Sequence, residues 1–206
     1  MAIDSKRIAK NTIFLYARLI LVMGVTLYAS RVILDKLGVD DYGLFNVAFS
    51  VIGLLSFLNG TLGAGTSRFI TFDLGRNNRE KLTYTFSTAL CAHLFLAGII
   101  LLLGETVGVW YVHNIMVCPP DRFQAAFIVY QISIFITILS ILQVPFTSEI
   151  MAHEEMDIYA YIGMYEAVAK LVIVYLLIHS PFDKLIFYAS LVAIVSLSVF
   201  FYICIL

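Results

Sequence analysis

A chain of 206 residues that is 61% hydrophobic and only 13% charged carries too few charges to solvate its apolar surface as a water-soluble fold. A net charge of −1 and a pI near 6.4 give no electrostatic basis for a nucleic-acid partner, and a mean hydropathy of +0.95 points to a polytopic helical membrane protein. The cysteines Cys91, Cys118 and Cys204 are scattered and odd in number. They imply neither a disulfide framework nor metal-ligand spacing, and they read as buried structural thiols.

The chain opens on a short polar stretch, Met1 to Lys10, with Lys6, Arg7 and Lys10. The apolar run that follows lacks a small-residue cleavage site, so it reads as a retained span rather than a signal peptide. Crossing a ~30 Å hydrocarbon core takes ~20 apolar residues in a helix. Six such runs are predicted, at Asn11–Leu34, Tyr42–Phe72, Tyr84–Gly104, Phe123–Met151, Ile158–His179 and Lys184–Leu206. They make an all-α membrane protein, a six-transmembrane-helix bundle filling residues 1–206 as a single lobe. Most connections are short, which makes successive spans antiparallel neighbours. The exception is Glu105 to Arg122, where Trp110 and Tyr111 suit a headgroup-level anchor and Pro119 and Pro120 stop a helix.

Lys6, Arg7 and Lys10 share one side of the membrane with Arg76, Arg79 and Lys81, against Lys36, Arg122 and Lys184 on the other. The excess predicts a cytoplasmic N-terminus and, with an even number of spans, a cytoplasmic C-terminus. Leu206 falls inside the last apolar run with no polar tail, so the chain is expected to be truncated or one lobe of something larger.

Polar groups within the spans are costly and tend to face a cavity or a partner. Arg18 shares a face with Asn11 and Thr26 in the first span; it either snorkels to headgroups or lines a polar cavity. In the fifth span Tyr159, Gly163, Glu166 and Lys170 share a face, with Glu166 and Lys170 at i, i+4. They form either a self-neutralising pair or the lining of an aqueous path, where Glu166 takes up a proton and Lys170 attracts an anion. Ser133, Thr137, Ser140 and Thr147 stripe the fourth span, and Asn46, Ser50, Gly53 and Gly60 stripe the second, as packing surfaces or a hydrated wall. Gly60, Gly63, Ala64 and Gly65 suggest a tight crossing, Pro145 a kink, and His93 a hydrogen-bonded packing residue. Arg31 and Arg68 sit close to span ends, within reach of headgroups. His153-Glu154-Glu155 lacks the second histidine of a zinc motif. No catalytic residue, cofactor or metal is expected; the chain does not read as an enzyme.

The segment LDKLGVDDYGLFN, Leu34 to Asn46, is more specific than its composition. It follows an Arg-bearing first span and precedes a second that ends in SRFITFDLG and the basic turn NNREK. This order resembles the start of bacterial polysaccharide-export flippases of the multidrug/oligosaccharidyl-lipid/polysaccharide exporter superfamily. Leu37, Gly38, Tyr42 and Gly43 supply the tight turn of that pattern, and MAHEEMDIYAYI, Met151 to Ile162, is similar to the family's link between its fourth and fifth spans. The resemblance covers nearly the whole chain and implies the first of two lobes that rock about a central cavity, completed by a second lobe or a second copy. It implies a lipid-linked oligosaccharide of the polyprenyl diphosphate type as substrate, its tail kept in membrane lipid. Arg18 and Lys170 would meet the diphosphate, Asn46, Ser50 and Thr137 the sugars, and Glu166 would couple transport to protons or sodium. The alternatives are a cation-coupled multidrug exporter of the same architecture and a non-transporting membrane assembly subunit.

Overall fold

The computed structural model describes residues 5–53, 57–76, 79–181 and 183–205, without the side chains of 5–11, 51–52 and 57–59. The side chains of Lys6, Arg7, Lys10, Asn11 and Asn59, together with Asn77, Asn78 and Leu206, lie outside the described residues. No strand occurs among the described residues. The order is α1 (Ser5–Gly53), α2 (Phe57–Gly75), α3 (Arg79–Leu103), a π-helical turn (Gly104–Gly108), α4 (Val109–Asn114), α5 (Phe123–Ala152), α6 (Met156–His179) and α7 (Lys184–Ile205). Five stretches are long and apolar enough to cross a membrane: Thr12–Ser50, Arg79–Asn114, Phe123–Ala152, Met156–His179 and Lys184–Ile205. The protein is a multi-pass helical membrane protein. In hydrocarbon the peptide groups must pair within the segment, which leaves the helix as the form these apolar runs can take.

The first two expected spans are divided differently from the sequence reading. Helix continues through residues 35–41, broken only at Gly38, whose φ of 84° and ψ of 170° are non-helical. A side chain at such a backbone conformation costs about 1–3 kcal/mol, which glycine avoids. The expected seven-residue connection is thus condensed into one residue, and the second expected span is shared between the end of α1 and α2.

Contacts fix the directions. Before Gly38, α1 runs parallel to α6: Phe14 meets Tyr161, and Ala29 and Ile33 pack with Val174 and Leu177. After Gly38, the chain runs parallel to α5, since Asp41 meets Arg122 and the Ser133 hydroxyl, which donates to the Tyr130 carbonyl at 2.6 Å, lies 3.3 Å from the Ala48 carbonyl oxygen. The α2 segment keeps that course, with Ser148 Oγ 3.5 Å from the Gly63 carbonyl oxygen. Because α5 and α6 are antiparallel across the short turn 153–155, the two parts of α1 run in opposite senses. That turn closes α5 with paired N–H bonds, Glu155 to Ile150 and Glu154 to Met151, around Glu154 at φ 59°.

The third span is longer than expected. Rather than ending at Gly104, helix passes through the π turn into α4 and stops at Asn114. Gly108 makes room for the contact at this turn. Fully buried Tyr130 of α5 donates its hydroxyl to the Gly104 carbonyl at 2.7 Å, and a Cβ at Gly108 would fall on that same hydroxyl. Trp110 and Tyr111 therefore sit on a helix, Trp110 exposed and Tyr111 half-buried. Two of the cysteines also depart from expectation: Cys91 and Cys204 face outward and only Cys118 is half-buried. On membrane-crossing helices an outward face is itself apolar in setting, so hydrophobicity did not imply interior placement.

One end of the bundle is tied by ions. Arg122, just before α5, donates through Nε to Asp41 at 2.9 Å, through Nη2 to the other Asp41 oxygen, and through Nη1 to Asp183 at 2.5 Å. The two-pronged contact with Asp41 is the strong form of an arginine–carboxylate pair. Lys184 adds a bond to the Lys36 carbonyl at 3.3 Å. Hydrogen bonds to Asp41 first, and to Asp183, raise the Arg122 pKa still further above its ordinary value despite partial desolvation. For Asp183, burial works against ionisation. It is outweighed by the Arg122 hydrogen bond and charge and by the backbone N–H groups of Ile186 and Leu185, so its carboxyl lies below the usual range.

A group depressed in this way stabilises the fold above its unfolded pKa, about 3.9 for aspartate, and loses that contribution as pH falls through its folded value. Thermal unfolding in detergent is therefore expected to show stability falling below about pH 4. Asp183→Asn should lower stability at neutral pH and reduce the acid-side loss; an unchanged acid limb would exclude this role.

Candidate functional site

The ionisable residues of the first and fifth expected spans meet on one seam. Because α1 before Gly38 lies parallel to α6, Arg18 comes opposite the first turns of α6 and stacks its guanidinium over Tyr159, 4.3 Å from the ring centroid. Cation–π contact of this kind is worth about 0.5–2 kcal/mol, more as water is removed. Gly163 makes the seat: a Cβ there would fall on Arg18 Nε, with Cδ and Cζ at 2.8 and 2.9 Å. Arg18 Nε is buried without a hydrogen-bond partner among the described residues. A donor left unpaired in this way is costly, and it is available to an acceptor that enters the seam.

Glu166 stands one turn further along α6, half-buried, within the fields of both Lys170 and Arg18. Lys170 follows on the same face and lines a cavity of about 60 Å³ with Thr26, Ser30 and Tyr188. The order along the seam is cation, carboxylate, cation. At 1.5 Å per residue, Glu166 and Lys170 lie roughly 15 and 21 Å from the start of α6 at Met156, in the middle of the helix.

The remaining candidates lie elsewhere. Asn46 and Ser50 are exposed on α1 after Gly38, and bond to their own helix through the Tyr42 and Val47 carbonyls. Thr137 is half-buried on α5 and donates to the Ser133 carbonyl at 2.9 Å. Their oxygens keep acceptor capacity, yet they do not join Arg18 and Lys170. The α5 stripe is largely a packing surface, since Ser140 and Thr147 bond back to Ile136 and Gln143. Ser133, bonded back to Tyr130 at 2.6 Å, and Ser148 lie 3.3 and 3.5 Å from the Ala48 and Gly63 carbonyl oxygens across the contact. Gly63 does mark a close crossing, its hypothetical Cβ 2.9 Å from Val144 beside Pro145, whereas Gly60 and Gly65 meet nothing within 4 Å. His93 is fully buried with Nδ1 donating to the Ala89 carbonyl, and its Nε2 has no partner among the described residues.

Sequence reading did not find the Arg18–Tyr159 stack, the seat at Gly163, or Ser30 and Tyr188 beside Lys170. The i, i+4 spacing of Tyr159 and Gly163 hinted at a shared face, but the partner across the seam depends on which helices are neighbours. Comparison with protein-family models, with curated proteins and with solved structures finds no match to this chain. What fold and site define is a multi-pass helical membrane protein with a row of charge between two parallel helices.

The seat is testable by a double-mutant cycle. Gly163→Ala should destabilise the protein by displacing Arg18, and the cost should shrink in an Arg18→Ala background, giving a coupling of about 0.5–3 kcal/mol. Additive effects in thermal unfolding would show that Gly163 does not seat Arg18.

Proposed function

We propose that the chain forms a six-pass lobe of a bacterial inner-membrane transporter that flips a lipid-linked oligosaccharide by alternating access. The lobe works with a second lobe or a second copy. The reading is supported above all by the convergence of Arg18, Glu166 and Lys170 on one seam, where two cations outnumber one carboxylate. Charges placed at membrane depth are expensive and are usually tied to a substrate or ion path. An excess of positive charge suits a diphosphate head, and so favours this reading over a cation-coupled drug exporter. Arg18 and Lys170 bind the head, Glu166 is the group able to exchange a proton, and Asn46, Ser50 and Thr137 offer sugar contacts from other faces.

Counting six passes follows from treating Gly38 as a reversal and α2 as the continuation of the segment that precedes it. Arg76, Arg79 and Lys81 then lie at the same end as the 153–155 turn, while Lys36, Arg122 and Lys184 lie at the other. Arg122 is engaged with two carboxylates, which lowers the positive charge of its own end and favours cytoplasmic termini.

Arg18→Ala and Lys170→Ala, each introduced into the intact protein, are expected to abolish surface-polysaccharide export while leaving membrane insertion unchanged. Export at the normal level in both variants would contradict the proposal.

A further inference from the structure

Glu166 and Lys170 lie on α6 between two apolar clusters. Ile162 packs with Ile150, Val199 and Ile203 on one side of them, and Val174 and Leu177 pack with Ala29 and Ile33 on the other. Few charges belong to this layer. From Thr12 to Ser30, α1 supplies Arg18 alone, and from Ile158 to Ile178, α6 supplies Glu166 and Lys170. From Leu185 to Ile205, α7 carries no Asp, Glu, Lys, Arg or His. The one carboxylate of α5 is Glu149, in its last turn and beside His153. The other titratable groups bordering the seam are the phenols of Tyr159 and Tyr188.

The charge of the layer is therefore set by one carboxylate standing in the fields of two cations. A diphosphate esterified at both ends carries two negative charges, one on each phosphate. Arg18 and Lys170 match that dianion by themselves, and an ionised Glu166 beside them leaves one negative charge over. Net charge in a poorly hydrated layer is expensive, and a proton on Glu166 removes it. The anion supplies the drive. Once it sits on Arg18 and Lys170, their fields are offset at Glu166 and its own field opposes the ionised carboxylate.

We infer that Glu166 takes up a proton as the anionic head binds, so that anion and proton occupy the seam together. This rests on the reading of Arg18 and Lys170 as the seat of a diphosphate head. An exchanger has the opposite sign, since there the proton leaves as the anion enters.

Isothermal titration calorimetry of the full chain in detergent tests it, with farnesyl diphosphate N-acetylglucosamine as the probe. This diester keeps the same charge across the neutral pH range, over which the titration is repeated. In buffers of different ionisation enthalpy, binding should take up about one proton, and affinity should fall as pH rises. Glu166→Gln should take up none, and at the alkaline end should bind about tenfold more tightly, the effect of one charge at about 10 Å. Glu149→Gln, at the turn end, should leave the uptake unchanged. Binding without proton uptake, or with proton release, would overturn the inference and leave the proposed function standing. Uptake that persists in Glu166→Gln, or is lost in Glu149→Gln, would overturn it as well. No binding of the diester would overturn the proposed function itself, and the inference with it. Glu166→Ala gives the same readout if Glu166→Gln does not fold.

Discussion

The Arg122 guanidinium bridges Asp41, just after the Gly38 break, and Asp183, at the start of α7, while standing itself at the start of α5. It thereby ties three helix ends at one level, and much of the architecture follows from that level. With Asp41 held there, the segment after Gly38 enters alongside α5 in the register that lets Ser133 reach Ala48 and Ser148 reach Gly63. The segment before Gly38 must then descend in the opposite sense, which brings it against α6 and sets Arg18 opposite Tyr159 and Gly163. An ion cluster of this kind survives near the membrane boundary because each charge is met by a hydrogen-bonded partner; removing one partner would leave its neighbours uncompensated.

The seam and the α2–α3 contact are two responses to the same solvent problem. On the α1–α6 side, polar groups line the contact between helices, where a guanidinium rests on an aromatic face and the exposed Lys170 borders a small cavity with hydroxyls. On the α2–α3 side, a groove of apolar surface is left open between the helices. Small residues act as spacers at the seam and where other helices cross α5. Gly163 admits the arginine, Gly63 admits Val144, and Gly108 admits the Tyr130 hydroxyl. Without a hydrophobic force between helices in lipid, close approach of this sort carries much of the packing.

Much of the fold was legible because membrane-spanning helices write themselves as local, long apolar runs. The last three expected spans, Phe123–Met151, Ile158–His179 and Lys184–Leu206, fall within a few residues of α5, α6 and α7. Gly38 was recognisable as a turn, though its compression to one residue was not, since polar flanks such as Asp35, Lys36 and Asp40 look like a loop while keeping helical backbone. The helix beyond Gly104 was hidden for a long-range reason: its π turn depends on Tyr130, which lies far along the chain. The cluster of Arg122, Asp41 and Asp183 was invisible for the same cause, because its members belong to three separate connections. In the seam, spacing gathered Glu166 and Lys170 on one face, but only the parallel pairing of α1 and α6 adds Arg18. Asn46, Ser50 and Thr137 shared polarity with that set and not position.

The parallel pairing of α1 and α6 is the central claim, and disulfide cross-linking in native membranes tests it most directly. In a background freed of Cys91, Cys118 and Cys204, the pairs Phe14→Cys with Tyr161→Cys and Ala29→Cys with Val174→Cys should both cross-link readily. The crossed pairs, Phe14→Cys with Val174→Cys and Ala29→Cys with Tyr161→Cys, should not. Cross-linking of the crossed pairs, or of neither set, would mean that Arg18 does not face α6 at Tyr159 and that the charged seam does not exist in the membrane.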